Sequence, residues 1–147
     1  MKIQNVIDAK GDSRIFSIPT TYTLTDFVRE ACERKVGALL ITDEQGKMAG
    51  IISERDVIRQ CYAKVDFDTV LVSEVMTKDL IAGSPDDDIH LAMDTMVNKR
   101  IRHLPILDGD AIKGLITVRD LISAMRKADE DEKHLLVEYL QSSLEAL

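Results

Sequence analysis

The chain changes hydrophobic period in a fixed order, and it does so twice. Ile15-Phe16-Ser17-Ile18 is a short apolar run closed by Pro19, which reads as a strand. Leu24, Phe27, Val28, Ala31 and Cys32 follow at helical spacing behind Thr23 and Asp26, a capping-box start. Two strands joined by a turn come next, over residues 38–42 and 47–52, and then a helix over about residues 53–63. The same order returns with Leu80-Ile81-Ala82, closed by Gly83-Ser84-Pro85, as the strand. Ile89, Ala92, Met93, Met96 and Val97 then form a helical stripe behind Asp88. Strands over 103–107 and 111–116 and a helix over about 117–126 complete the second set. Residues 5–9 and 70–75 read as amphipathic lead-ins to the first and second sets, and residues 66–69 as the polar end of the connection. Beyond Lys127, Asp129-Glu130-Asp131-Glu132 reads as the start of a separate terminal helix, because acidic residues favour the positive pole of a helix. Leu136, Leu140, Leu144 and Leu147 form its apolar edge, with Tyr139 beside them.

The two sets are copies of one unit. Gly50-Ile51-Ile52-Ser53-Glu54-Arg55-Asp56-Val57-Ile58-Arg59 lies 64 residues before Gly114-Leu115-Ile116-Thr117-Val118-Arg119-Asp120-Leu121-Ile122-Ser123, with five of ten pairs identical. Upstream the offset is 65, and the change falls in the turn between Asp43 and Gly50, where an insertion is tolerated. The order strand–helix–strand–strand–helix makes each unit a small α/β (α+β) layer with helices on one sheet face. A unit of about 60 residues has a marginal core, so pairing lets each cover the other's sheet. The expected division is residues 1–66 for the first unit with its lead-in, 67–128 for the second, and 129–147 for the terminal helix.

Composition narrows the function classes. Nineteen Lys and Arg against 26 Asp and Glu give a net charge of −7, which argues against a protein that coats nucleic acid. No apolar run approaches the ~20 residues of a membrane span, so no membrane partner is expected. Cys32 and Cys61 form no metal-type spacing, and a reducing cytoplasmic setting is the expectation.

The chemistry concentrates where the last strand of each unit meets its last helix. A helix N-terminus offers unpaired N–H groups and partial positive charge, which suit an anion. Ser53 and Thr117 bring small hydroxyls, and Arg55 and Arg119 bring guanidinium groups suited to phosphate. Asp56 and Asp120 would repel a phosphate and suit a ribose diol instead. Ser53-x-x-Asp56 and Thr117-x-x-Asp120 are also capping-box spacings, and a capped Asp keeps lone pairs to offer, so both roles stand open. In Asn98-Lys99-Arg100-Ile101-Arg102-His103, Lys99 and Arg100 read as a solvated helix end. Arg102 and His103 start a strand, whose alternation turns one of them toward a cleft. Catalysis finds no nucleophile or metal set: His90 and His134 look exposed, Cys32 lies on the apolar stripe as core, and Asp86-Asp87-Asp88 suits a helix start better than one ion.

Val75-Met76-Thr77, Arg102-His103-Leu104-Pro105-Ile106 and the two Gly-x-x-Ser/Thr-x-x-Asp segments resemble a tandem pair of cystathionine β-synthase (CBS) domains, a Bateman module, over about residues 5–127. Lys10-Gly11, Ser53-Glu54-Arg55-Asp56 and Arg102-His103-Leu104-Pro105 resemble, more narrowly, short stand-alone members that are little more than one such pair. The resemblance implies two β-α-β-β-α units about a pseudo-two-fold axis, with clefts for adenosine compounds: AMP, ADP, ATP, S-adenosylmethionine or NAD(H). It implies that Asp56 and Asp120 hold ribose, that Ser53 and Thr117 contact ribose or phosphate, and that Arg55, Arg102 and Arg119 lie near phosphates. Backbone near Ile18 and Ile81 would read the adenine edge, with Ala38, Leu39, Leu40, His103, Leu104 and Pro105 as apolar wall and turn. Leu40 stands where the second unit has Pro105, and no Met-Thr precedes the first unit. The expected protein is a non-catalytic regulatory homodimer. It needs no cofactor or metal, binds an adenosine nucleotide as regulatory ligand, and acts on a protein partner. The alternative is an interaction scaffold with no nucleotide.

Overall fold

The computed structural model describes residues 1–10 and 17–146. In chain order the elements are α1 (Ile3–Ala9), β1 (Ser17–Pro19), α2 (Leu24–Arg34), β2 (Ala38–Thr42), β3 (Met48–Ser53), α3 (Glu54–Tyr62), α4 (Val72–Val75), α5 (Ile89–Lys99), β4 (His103–Asp108), β5 (Ala111–Thr117) and α6 (Val118–Glu145). The expected strand at Ile15 and Phe16 lies outside the described residues, as do Gly11 and Leu147.

In the first unit β1 runs parallel to β2, pairing Ile18 with Ile41, and β3 runs antiparallel to β2, pairing Leu39 with Ile52. Leu39, Ile41 and Ile52 meet Leu24 and Phe27 of α2 in one core. Ala38 and Leu40 are equally buried but belong to the opposite strand face, so β2 is covered on both sides. Helix α2 starts as its sequence dictates: Thr23 N–H donates to Asp26 Oδ2 at 2.9 Å, and Asp26 N–H donates to Thr23 Oγ1 at 3.2 Å. That backbone donor, with the Arg29 guanidinium beside it, holds the Asp26 carboxyl below its ordinary pKa. Both α2 and α5 end on a non-glycine residue in the left-handed region, Lys35 at φ 56° and Arg100 at φ 54°, again 65 positions apart. The one-residue insertion falls in the β2–β3 turn, where Gly46 adopts φ 77° and Asp43 Oδ1 accepts from Gln45 and Lys47 N–H.

The lead-ins cross over. Helix α1, expected with the first unit, packs on the second: Ile3 and Val6 join Ile89, Met96, Leu104, Ile116 and Leu121 in its core. Backbone bonds fix it there, from Ile3 N–H to Asp87 O and from Gln4 N–H to Pro85 O, both 2.9 Å. Conversely, Val72 of α4 is buried in the first unit's core, and Val72 N–H donates to Tyr22 O at 2.8 Å. Apolar periodicity marks a face to bury without naming its partner, so this exchange carries no sequence signal.

Three other expectations change. Leu80-Ile81-Ala82 is not a strand; the second unit's counterpart of β1 is a single bridge between Gly83 and Ile106. Gly83 N–H donates to Pro105 O, and Leu107 N–H donates to Gly83 O, each at 2.9 Å. The next rung would need an N–H at Pro105 donating to the carbonyl of Ile81, and proline has none. The position matching Ile18 is therefore Gly83, two residues after Ile81. The terminal helix is not separate either: α6 continues for 28 residues through Asp129–Glu132. Neither Gly nor Pro interrupts it, and the acidic residues sit mid-helix rather than at a cap. Finally, Cys32 and Val97 are exposed, and the apolar stripes of α2 and α5 end before them.

Candidate functional site

Strand β3 delivers Ser53 to the start of α3, and β5 delivers Thr117 to the start of α6. Asp56 Oδ2 accepts from the Ser53 N–H at 2.9 Å and from its hydroxyl at 3.3 Å, while Oδ1 accepts from Arg59 at 3.3 Å. At the other helix Thr117 N–H donates to Asp120 Oδ2 at 2.9 Å, and Asp120 N–H donates to Thr117 Oγ1 at 3.1 Å. Both aspartates thus cap their helices through Oδ2, which leaves Oδ1 for a second partner. The two aspartates pair with cations from different places: Asp56 with Arg59 of its own helix, Asp120 with Lys10 from beyond the end of α1. Lys10 Nζ reaches Asp120 Oδ2 at 3.0 Å and Leu115 O at 3.1 Å, so a cation of the chain itself sits at the second corner.

The first corner opens into a cavity of about 240 Å³ with walls from both units. Ser53, Arg55 and Asp56 come from the first, and Arg102 and His103 from the second. Strand alternation would turn only one of the last two toward it, but β4 begins at His103. Arg102 belongs to the bend before the strand and escapes the alternation, so both line the cavity. Arg100, expected to be a solvated helix end, lines it too, because its left-handed backbone turns the chain back over the site. Glu54, Arg59 and Thr77 complete the polar lining. Of these, Thr77 and Glu54 stood inside the Met-Thr and Ser-Glu-Arg-Asp motifs without a role of their own; Arg59 carried only its place on the second turn of a capped helix.

His103 is half-buried, and burial pushes its pKa below the ordinary value; the carboxylates of Glu54 and Asp120 oppose that shift, while Arg102 and Lys10 reinforce it. The imidazole therefore lies within electrostatic reach of both helix starts.

The remaining site residues fall elsewhere. Asp120 lines a different cavity, of about 420 Å³ between α1 and α6, with Lys10 and Lys127. Thr117 and Arg119 line neither cavity. Ile18, Leu39 and Leu104 are buried in the two cores, so their side chains are committed to packing. Ala38, Leu40 and Pro105 are buried, and Ile81 packs against the second core. Among the described residues no cluster of three or more His, Cys, Asp or Glu side chains could hold a metal, and no helix is long and apolar enough to cross a membrane.

A repeated helix–strand–strand–helix unit, preceded by a strand in the first copy and a single bridge in the second, with exchanged lead-ins, has the architecture of a CBS domain pair. The sequence matches the CBS domain family at residues 12–62 and again at 72–127, and the chain belongs to that family. It is 31% identical over 147 residues to a mitochondrial CBS domain-containing protein of Arabidopsis thaliana, covering 95% of this chain and 71% of that one. An uncharacterized 33.4 kDa protein of Thermofilum pendens is 36% identical over 114 residues, which cover 76% of this chain and 37% of that longer protein. Among solved structures, a CBS-domain containing protein of Agrobacterium tumefaciens superimposes with a TM-score of 0.80 at 22% identity, over 85% of this chain and 99% of that one. A CBS domain protein of Pyrobaculum aerophilum complexed with AMP superimposes with a TM-score of 0.72 at 22% identity, over 82% and 89% of the two chains.

Proposed function

We propose that this protein is a regulatory module that binds an adenosine nucleotide between its two units and passes occupancy to a protein partner. One observation carries the reading: the cavity at the start of α3 draws a carboxylate and a hydroxyl from one unit and cationic groups from the other. Asp56 Oδ1 offers an acceptor for a ribose diol, and the arginines suit phosphate. The AMP bound by the Pyrobaculum aerophilum protein supports the ligand class. A ligand that touches both units favours one arrangement of them, and that difference is what a partner can read. The chemistry assigned is binding, not catalysis. No cofactor is required, and the free, exposed Cys32 and Cys61 fit a reducing, cytoplasmic setting.

The working unit in this reading is a homodimer. Ile58 of α3 and Ile122 of α6, 64 positions apart, are 66% and 48% exposed, and Tyr62 is 90% exposed. Apolar side chains exposed at equivalent positions on two helices are suited to an isologous contact between copies. The same exposed positions, with the exposed leucines of residues 135–144, favour the alternative of a scaffold without a physiological nucleotide. Thermal unfolding with and without millimolar AMP, ADP, ATP, NADH or S-adenosylmethionine separates the readings. A raised Tm with at least one of them supports sensing, and no shift with any supports scaffolding.

A further inference from the structure

Four arginines meet at the cavity beside α3, and among its described lining residues only Glu54 and Asp56 oppose them. Arg59 contacts Asp56 at 3.3 Å, whereas the guanidinium groups of Arg55, Arg100 and Arg102 make no ion pair or hydrogen bond among the described residues. A cationic excess gathered in a concave site of an acidic chain raises the local concentration of anions and awaits a counter-charge. The arginines also stand on two walls. Arg55 and Arg59 lie one helical turn apart on α3, and Arg100 and Arg102 flank Ile101 between α5 and β4. One terminal phosphate has three oxygens and satisfies one or two guanidinium forks. Four guanidinium groups exceed what one phosphate can satisfy, and a chain of phosphates matches them.

We infer that this cavity selects a nucleoside polyphosphate over a monophosphate, with the phosphate chain held between the α3 pair and the Arg100–Arg102 pair. The inference rests on the nucleotide-binding reading above and adds the phosphate number to it. Among the described residues, the pseudo-equivalent corner lacks the matching arginines. Positions matching Arg59, Arg100 and Arg102 hold Ser123, Lys35 and Gly37, and Lys10 already sits on Asp120 there. The selectivity belongs to the cavity beside α3.

Isothermal titration of the full chain with ATP, ADP, AMP and inorganic tripolyphosphate, at one salt and magnesium concentration, tests it. In the wild type, affinity rises from AMP through ADP to ATP by about tenfold or more overall. In the double variant Arg59→Gln/Arg100→Gln the ratio of ATP to AMP affinity collapses toward about one, because AMP loses less than ATP does. The ratio is internal to each protein, so a change in overall fold quality does not imitate this result. AMP binding as tightly as ATP in the wild type, or an unchanged ratio in the variant, overturns the inference while leaving nucleotide binding intact. Tripolyphosphate binding as tightly as ATP overturns its nucleoside half. Absence of binding by ATP, ADP and AMP alike overturns the reading beneath it.

Discussion

Asp56→Ala and Asp120→Ala look equivalent in the sequence and are expected to differ in the protein. Each removes the acceptor for the N-cap backbone N–H, at Ser53 or Thr117, held at 2.9 Å in both cases. Loss of such a cap costs about 1 kcal/mol. Each also breaks an ion pair, Arg59–Asp56 at 3.3 Å or Lys10–Asp120 at 3.0 Å. Both pairs are partly exposed, so each adds only about 0–1 kcal/mol. Both variants therefore fold with about 1–2 kcal/mol less stability, or about 2–8 °C in Tm for a chain of this size. The ligand separates them. ATP at about a hundred times its Kd stabilises the wild type by about 2.7 kcal/mol. Asp120→Ala retains that increment because Asp120 lines the α1–α6 cavity and not the arginine-lined one. Asp56→Ala loses most of it. Urea unfolding followed by circular dichroism, with and without ATP, reads both numbers. Equal loss of the increment in the two variants, or its survival in Asp56→Ala, refutes the assignment of the ligand to the first corner.

His103 makes binding pH-dependent: its pKa is held low by burial, with Glu54 and Asp120 opposing and Arg102 and Lys10 assisting. A polyphosphate nearby favours the imidazolium, so binding takes up protons and affinity rises as pH falls from 7.5 toward 6, by at most about tenfold per unit. Calorimetry in buffers of different ionisation enthalpy counts the protons, and wild type is expected to take up more of them than His103→Gln does; equal counts in the two proteins would refute a role for His103. Without ligand the sign reverses. The folded state binds fewer protons than the unfolded one, so stability falls as pH drops through the unfolded pKa of about 6.5 and levels off below the folded value, an effect absent in His103→Gln melting curves. Gly50→Ala places a methyl 2.6 Å from Met76 Sδ and 2.8 Å from the Thr77 carbonyl oxygen, whereas at Gly114 the nearest atom is 3.5 Å away. The first costs about 1–3 kcal/mol and the second far less, and equal unfolding midpoints for the two alanine variants would argue against the close approach. Deleting residues 129–147 removes only exposed positions among those described, so melting temperature and ATP affinity stay near wild type. A collapse of either on deletion would mean that the helix extension supports the fold or the site.

The repeat, its element order and the capped starts of α2 and α6 were legible because each depends on residues three or four apart. The insertion in the β2–β3 turn was legible for the same reason. Contacts set by tertiary placement were not. The apolar face of α1 announces burial, yet only the folded chain shows Ile3 and Val6 in the second unit's core. Arg100 and Glu54 meet across 46 positions, and a left-handed helix end at Arg100 is what brings them to one cavity. The lost strand at Ile81 was in principle readable from Pro105, since a proline removes one rung from a parallel ladder. The equivalence of Asp56 and Asp120 misled in the opposite direction: similar motifs sit in different electrostatic settings because Asp56 pairs with Arg59 of its own helix and Asp120 with the distant Lys10.

Backbone amide NMR during a titration with ATP shows whether one nucleotide touches both units at the first corner. The amides of Ser53, Glu54, Arg55 and Asp56 are expected to shift together with those of Arg100, Arg102 and His103 along one saturation curve, at one ATP per chain. Shifts confined to one unit, separate curves for the two groups, or no shift at either would rule out a nucleotide bridging the units there.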